Sequence, residues 1–309
     1  MGRFINPFTD TGFKRIFGQE MSKPVLIKFL NALLQDERSI TDLQFLDKEQ
    51  IGIYDGDRSL IYDVLCETET GEKIIVEMQN RYQPYFKERS IYYAARAIVE
   101  QGERGREWRY DLKAVYLVAF MDFQLSDSEK FRIDVALMDM EEHTVFSDKV
   151  RLIYLQLPCF TKREEDCESD FDRMIYVLKH MDVFDRMPWA AKDAVFTRLG
   201  EIAEVAALKP EERRQYETDV KHYRDTLAVM TGQFMQGEEK GRAEGRAEGL
   251  VEGERKGRAE GLVEGELKGR AEGRAEGIWN TARNLKRMGL PIAVIIEATG
   301  LTETEIEGL

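Results

Sequence analysis

The chain has 309 residues, 43% of them hydrophobic and 33% charged, with a formal net charge of −13 at pH 7. That length holds one large domain, or a core domain with appendages, and is ample for a sizeable hydrophobic core. The acidic balance argues against a protein that coats nucleic acid by bulk electrostatics, because phosphate contact draws on Lys and Arg, so any such contact must be local. The longest wholly apolar runs, such as Ala114 to Met121, are strand-sized, well below the roughly twenty residues of a membrane span. The opening MGRFINPFTDTGFKR has no basic segment followed by an apolar one and reads as a turn and then a helix. Cys66, Cys159 and Cys167 are odd in number and lack CxxC spacing, so a reducing, cytoplasmic setting is expected rather than a disulfide framework. His143, His180 and His222 form no HExxH-like pair and read as surface or core residues rather than zinc ligands.

In chain order, Phe13 to Phe17 and Lys23 to Leu34 are predicted helices. In the second, Val25, Leu26, Phe29, Leu30, Leu33 and Leu34 recur at helical spacing and Pro24 suits the first turn. A strand is predicted near Leu43 to Leu46. The stretch Ser59 to Gln79, SLIYDVLCETETGEKIIVEMQ, reads as a β-hairpin. Leu60, Ile61, Tyr62, Val64 and Leu65 form one arm, and Ile74, Ile75, Val76 and Met78 the other. Gly71 stands in the turn, where a positive φ is expected. Period-two alternation puts Asp63 on a face with Ile61 and Leu65, and Glu77 on a face with Ile75 and Gln79. If those faces coincide, two carboxylates converge in an apolar sheet, an arrangement that repulsion and desolvation disfavour without a cation. All-oxygen ligation suits Mg²⁺, with Mn²⁺ as substitute. The spacing alone equally allows both acids to lie on a solvated face.

Phe86 to Gln101 is a second predicted helical region, with Ile91, Tyr92, Ala95, Ile98 and Val99 as its apolar positions. It lies in a locally basic stretch from Arg81 to Lys113. There Arg81, Lys87, Arg89, Arg96, Arg104, Arg106, Arg109 and Lys113 outnumber Glu88, Glu100, Glu103, Glu107 and Asp111, a modest excess that by itself fits a mixed-charge solvated face. Strands are predicted at Leu112 to Phe123 and Val150 to Leu157, giving a mixed α/β core over residues 1–160. Residues 161–236 turn helical and are expected to pack on that core. The helix opened by Pro210 has Glu211 and Glu212 at its positive end and a stripe of Tyr216, Val220, Tyr223 and Leu227.

From Gly237 to Gly277 a glycine falls at every fourth residue, eleven in all, with a near-duplicated block, GRAEGLVEGERK then GRAEGLVEGELK. As a helix this stretch would align glycines in a drifting stripe and permit close helix approach. Each interior glycine costs about 1 kcal/mol relative to alanine, and arginine four residues from arginine or glutamate from glutamate adds like-sign pairs. Two readings stand side by side, self-association of tails and a flexible spacer. Residues 278–309 read as a small helix-turn-helix-like tip: a helix to Met288, a break at Gly289, a helix opened by Pro291, a turn at Thr299 and Gly300, and a last helix capped by Thr302 with Glu305. Its last helix offers Glu303, Glu305 and Glu307, which favours protein contact over reading DNA bases.

With DTGFKRIFG from Asp10, the YDV and VEMQ arms, RSIYYAARAIVEQGERG from Arg89, KAVYLVAFMDF from Lys113, EERRQYE from Glu211 and the glycine tail in this order, the chain resembles the recombination-promoting nuclease or putative transposase family of the PD-(D/E)XK nuclease superfamily. The likeness covers nearly the whole chain. It implies a restriction-endonuclease-like α/β core with a helical extension and a glycine-repeat helical tail, and a DNA endonuclease dependent on Mg²⁺. Asp63 and Glu77 match the two metal-binding acids. Gln79 stands where the superfamily pattern has lysine; it lacks a lysine's charge and cannot act as a base, although its carbonyl can orient a water. Asp10 and Lys14 on the first helix and Lys73 on the hairpin are candidate auxiliaries, and Arg89, Tyr93 and Arg96 candidate contacts to the DNA backbone. The alternative is a nuclease-fold binding or regulatory protein with a weakened site, assembled as a homo-oligomer through residues 237–277.

Overall fold

Helix α1 (Asp10–Phe17) starts where Thr9 caps it, the hydroxyl accepting the Gly12 N–H at 3.1 Å. Helix α2 (Lys23–Leu33) follows, with Pro24 in its first turn. The computed structural model describes residues 2–35, 37–47, 49, 50, 60–103, 108–125 and 129–309. Ser59, Arg104, Arg106 and Glu107 therefore lie outside the described residues.

Among the described residues the strands are β1 (Leu43–Phe45), β2 (Glu49–Gln50), β3 (Leu60–Ile61), β4 (Val64–Thr68), β5 (Lys73–Gln79), β6 (Val115–Met121), β7 (Arg132–Met138) and β8 (Val145–Gln156). Six of them form one sheet in the order β1-β4-β5-β6-β8-β7, and β2 pairs with β3 separately. Pairing is antiparallel for β1/β4, β4/β5 and β7/β8 and parallel for β5/β6 and β6/β8. Every residue of β6 is buried, as a central parallel strand covered on both faces requires.

The β4–β5 hairpin turns at Gly71, whose φ is +90°, a value glycine adopts without strain. The first arm departs from expectation. Leu60 to Leu65 is not one strand: β3 ends at Ile61, β4 begins at Val64, and Tyr62 and Asp63 form the break between them. Ile61 is 60% exposed while Tyr62 is fully buried, so alternation fails at the residue beside the first acid. The strand β7, which has a bulge after Ala136, was not foreseen; its residues are half-buried or exposed, and its apolar signal is correspondingly broken.

One face of the sheet, with Val64, Val76, Val118 and Phe120, packs on α1, α2, α4 (Asp170–His180), α5 (Ala194–Ala203) and the base of α6 (Pro210–Arg287) in a single core. Phe17 and Phe29 lie 5.5 and 5.2 Å from the Phe120 ring. The opposite face, with Leu65, Ile75, Leu117 and Ala119, is covered by α3 (Phe86–Val99). That helix turns inward its small residues, Ser90, Ala94 and Ala97, while Ile91, Tyr92 and Val99 are exposed. The apolar stripe expected for it is thus largely reversed: apart from Phe86 and Arg96, the fully buried side chains of this helix are small, which lets it lie close on the sheet.

Two units divide the chain, Met1–Val229 and Met230–Leu309. In the first, α6 is fixed by Tyr216, whose hydroxyl accepts the Asn6 N–H at 2.7 Å, and by Asp219, which accepts the Thr11 N–H at 2.9 Å. In the second, α6 continues through residues 237–277, and no neighbouring atom lies within 4 Å of where a Cβ would stand on any of the eleven glycines. Opposite charges also meet at helical spacing, as in Glu238–Arg242 at 2.7 Å and Glu252–Lys256 at 2.8 Å, so like-sign pairs do not describe the whole repeat. The end of α6 packs with α7 (Ile292–Thr299) and α8 (Glu303–Glu307) around Ala282, Ile295 and Ile306. Gly289 and Gly300 have φ of +80° and +74°, and Thr302 and Glu305 form a capping box.

Candidate active site

Antiparallel pairing of Val64 with Val76 carries the chain to Asp63 opposite the far end of β5, where Glu77 stands. The break after Ile61 turns Asp63 back onto that strand. Its N–H donates to Glu77 Oε1 at 3.3 Å, and its Oδ2 accepts the Met78 N–H at 2.8 Å. Two backbone hydrogen bonds therefore tie Asp63 and Glu77 together. Glu77 is 4% exposed. Burial first, and then the neighbouring Asp63 charge, push its carboxyl up to about 8, against the Asp63 N–H and the Arg89 charge. Asp63 is also raised, chiefly by burial, while the Met78 N–H and Lys14 oppose the shift, Asp10 adds to it and Arg89 lowers it.

The remaining candidates divide by distance. Asp10 and Lys14 pair with each other at 2.6 Å on α1, and both act electrostatically on Asp63 from the helix layer opposite α3. Gln79 is half-buried, shares the strand face of Glu77, and accepts the Asp122 N–H on its main-chain carbonyl at 2.9 Å. Lys73 begins β5, four residues from Glu77, a separation of roughly 13 Å along a strand; the geometry does not bring it to the acids. On α3, Arg89 and Tyr93 face the pair: Arg89 lowers both carboxyls, and the Tyr93 hydroxyl is raised by burial and then by Glu77. Arg96 differs from them. It is 9% exposed and its Nε donates to Glu100 at 3.1 Å, so packing and an ion pair occupy the side chain expected to touch DNA.

Three neighbours went unseen in the sequence. Gln83 Oε1 accepts from Arg89 Nη1 at 2.7 Å, Asn80 Nδ2 donates to the Phe8 carbonyl at 2.7 Å, and Tyr62 packs edge-on to Tyr93 at 5.2 Å. Gln83 and Asn80 lie in the irregular NRYQPY segment between β5 and α3, where no periodicity marks a side chain. Only the apolar neighbours of Tyr62 hinted at burial.

Among the described residues no group of three or more His, Cys, Asp and Glu forms a metal cage. A pair of carboxylates is nonetheless a donor set that suits Mg²⁺, which keeps several of its waters and takes one or two protein acids. The desolvated, mutually repelling Asp63 and Glu77 lack the positive charge such an ion carries, so the residues present fit it.

Residues 7–232 match the model of the PD-(D/E)XK nuclease family transposase. The chain belongs to this family. No curated protein and no solved structure matched it. The six-stranded mixed sheet with helices on both faces is compatible with a PD-(D/E)XK core, and membership in the family suggests a nuclease-like or transposase-related function with DNA as the implied substrate. Among the described residues of this PD-(D/E)XK protein no helix is long and apolar enough to cross a membrane.

Proposed function

We propose that this protein is a DNA endonuclease of the recombination-promoting, transposase-related type, hydrolysing phosphodiester bonds with Mg²⁺, or Mn²⁺ in its place. The observation that carries the reading is the Asp63–Glu77 pair, with Glu77 buried and Asp63 half-buried, held together by backbone N–H groups with Glu77 pushed up to about 8. Asp63 and Glu77 would hold the ion. When bound, it supplies Lewis acidity that lowers the pKa of a water and offsets charge developing on phosphate. Gln79, on the Glu77 face of β5, orients the attacking water through its side-chain carbonyl. Lys14 lies on the α1 side of Asp63, paired with Asp10, and adds positive charge beside the acids. Arg89 and Tyr93 face the backbone of the DNA, which gives contact without base readout. The glycine column of residues 237–277 serves close approach between copies of the chain.

A second reading follows from Gln79 and from the placement of Lys73 away from the acids. A site with no lysine at the third position would bind DNA or protein without cutting. Nicking of supercoiled plasmid separates the two readings: cleavage with Mg²⁺, its loss in EDTA and its loss in Asp63→Ala support the enzyme, whereas equal nicking by Asp63→Ala sinks it.

A further inference from the structure

Arg89 presents an unusual arrangement. Its guanidinium carbon lies 5.1 Å from the Phe86 ring centroid and 5.7 Å from that of Tyr93, and Nη1 donates to Gln83 Oε1 at 2.7 Å. The other edge, Nε and Nη2, is shielded from solvent and meets no hydrogen-bond acceptor among the described residues. Buried guanidinium donors without acceptors are costly, and natural sites retain them where a ligand completes the set. The nearby carboxylates act on Arg89 through charge but make no hydrogen bond to Nε or Nη2.

Nε and Nη2 are the two parallel donors of a guanidinium's side edge, and their spacing matches two oxygens on one phosphorus or one carboxyl carbon. A carboxylate offers two oxygens as well, but the hydrolytic reading gives it no part at this site. A phosphodiester, by contrast, has two non-bridging oxygens to offer and belongs beside the acids in the hydrolytic reading. We infer that Arg89 grips the scissile phosphate itself through Nε and Nη2, as a bidentate clamp that stabilises the transition state. Gln83 acts as its positioning residue by holding Nη1 and so fixing which edge is presented. This rests on the endonuclease reading and assigns to one side chain the substrate group beside the acids, rather than general backbone affinity.

The clamp requires a planar fork, so Arg89→Lys keeps the charge and loses the function. In full-length protein, Arg89→Lys should lower kcat for Mg²⁺-dependent cleavage of a short duplex by about 100-fold, the scale of removing a preorganised donor that faces developing charge. KM should stay nearly constant. Gln83→Leu, which loosens but retains the guanidinium, should cost roughly tenfold in kcat. The direct readout is the Arg89 Nε–H resonance in ¹⁵N-labelled protein, assigned by its absence in Arg89→Lys. Adding the duplex with Ca²⁺ in place of Mg²⁺ should move it downfield. Wild-type kcat in Arg89→Lys, a change confined to KM, or an unmoved resonance on duplex addition each overturns the clamp. If the wild-type protein fails to cleave at all, the endonuclease reading fails on its own, and the resonance alone decides whether Arg89 takes a phosphate.

Discussion

The sheet-end site and the glycine repeat of α6 use charged residues to opposite effect. At the site, Glu77 is buried and Asp63 half-buried, and the same low-polarity surroundings that penalise their ionisation make each neighbouring charge count. Along residues 237–277 the acids and bases stay exposed and pair only one turn apart, as in Glu266–Arg270 at 2.6 Å, where such pairs contribute about 0.3–0.5 kcal/mol. The helical cost of the glycines, about 1 kcal/mol each, is larger than those pairs offset. The first region is chemistry made by tertiary structure. The second is a local pattern whose stabilising contacts must come from beyond its own surface.

The sharpest break of that contrast lies at the acids. Asp63→Ala should reduce cleavage by ~10³-fold, since it removes both a carboxylate and the acceptor of the Met78 N–H, as measured by plasmid nicking with protein matched for folding by circular dichroism. Glu77→Gln should separate stability from activity. A carboxyl raised to about 8 in the fold from an ordinary value of 4.5 contributes stability below pH 4.5 that is lost as pH rises through 8. The metal-free wild type should therefore melt lower at pH 8.5 than at pH 6. Glu77→Gln removes that loss and can still accept the Asp63 N–H, so its melting temperature at pH 8.5 should rise by on the order of 10 °C in a unit of this size. At pH 5 the two proteins should melt together, and the variant should not cut DNA. A variant that melts below wild type at pH 8.5 would show that Glu77 is not held under charge strain.

A smaller effect probes the other layer of the same site. Tyr223, on α6, donates to Asp122 Oδ2 at 2.9 Å, and the Asp122 N–H caps the Gln79 carbonyl at 2.9 Å. Tyr223→Phe leaves a carboxyl already raised by burial with one donor fewer, at a cost of about 1 kcal/mol. Chemical denaturation should show that loss, with cleavage altered less than threefold.

The two regions differ, for a physical reason, in how much of each is legible in the sequence. The helices α1 and α2, the hairpin turn at Gly71, the strands β5 and β6 and the capped tip were all legible, because caps, glycine turns and apolar runs are local signals. Asp63 and Glu77 were legible as candidates, yet their meeting depends on a strand break at Tyr62 that two-residue alternation does not encode. Arg89 was distinguishable from Arg96 only by the surface each reaches. Seven residues separate them on one helix, which places them on similar sides, but Arg96 lies beneath its turn against Glu100 while Arg89 opens towards the acids. The inward face of α3 was misjudged because Ser90, Ala94 and Ala97 are too small to register as a core stripe.

The smallest effect per residue, and the one that tests the repeat, is alanine at Gly245, Gly257 and Gly269. Nothing lies within 4 Å of the added methyl at any of the three, so each change should favour the helix by about 1 kcal/mol. Helicity measured at 222 nm and its melting midpoint should both rise, and DNA cleavage by the first unit should be untouched. If copies of the chain approach along the glycine column, the same methyl groups hold the helices apart, and the mass seen by light scattering at fixed concentration should fall even as helicity rises. A gain in helicity with unchanged mass would remove the glycines from assembly and leave the repeat a spacer, whose glycines then serve to keep it from becoming a stiffer helix.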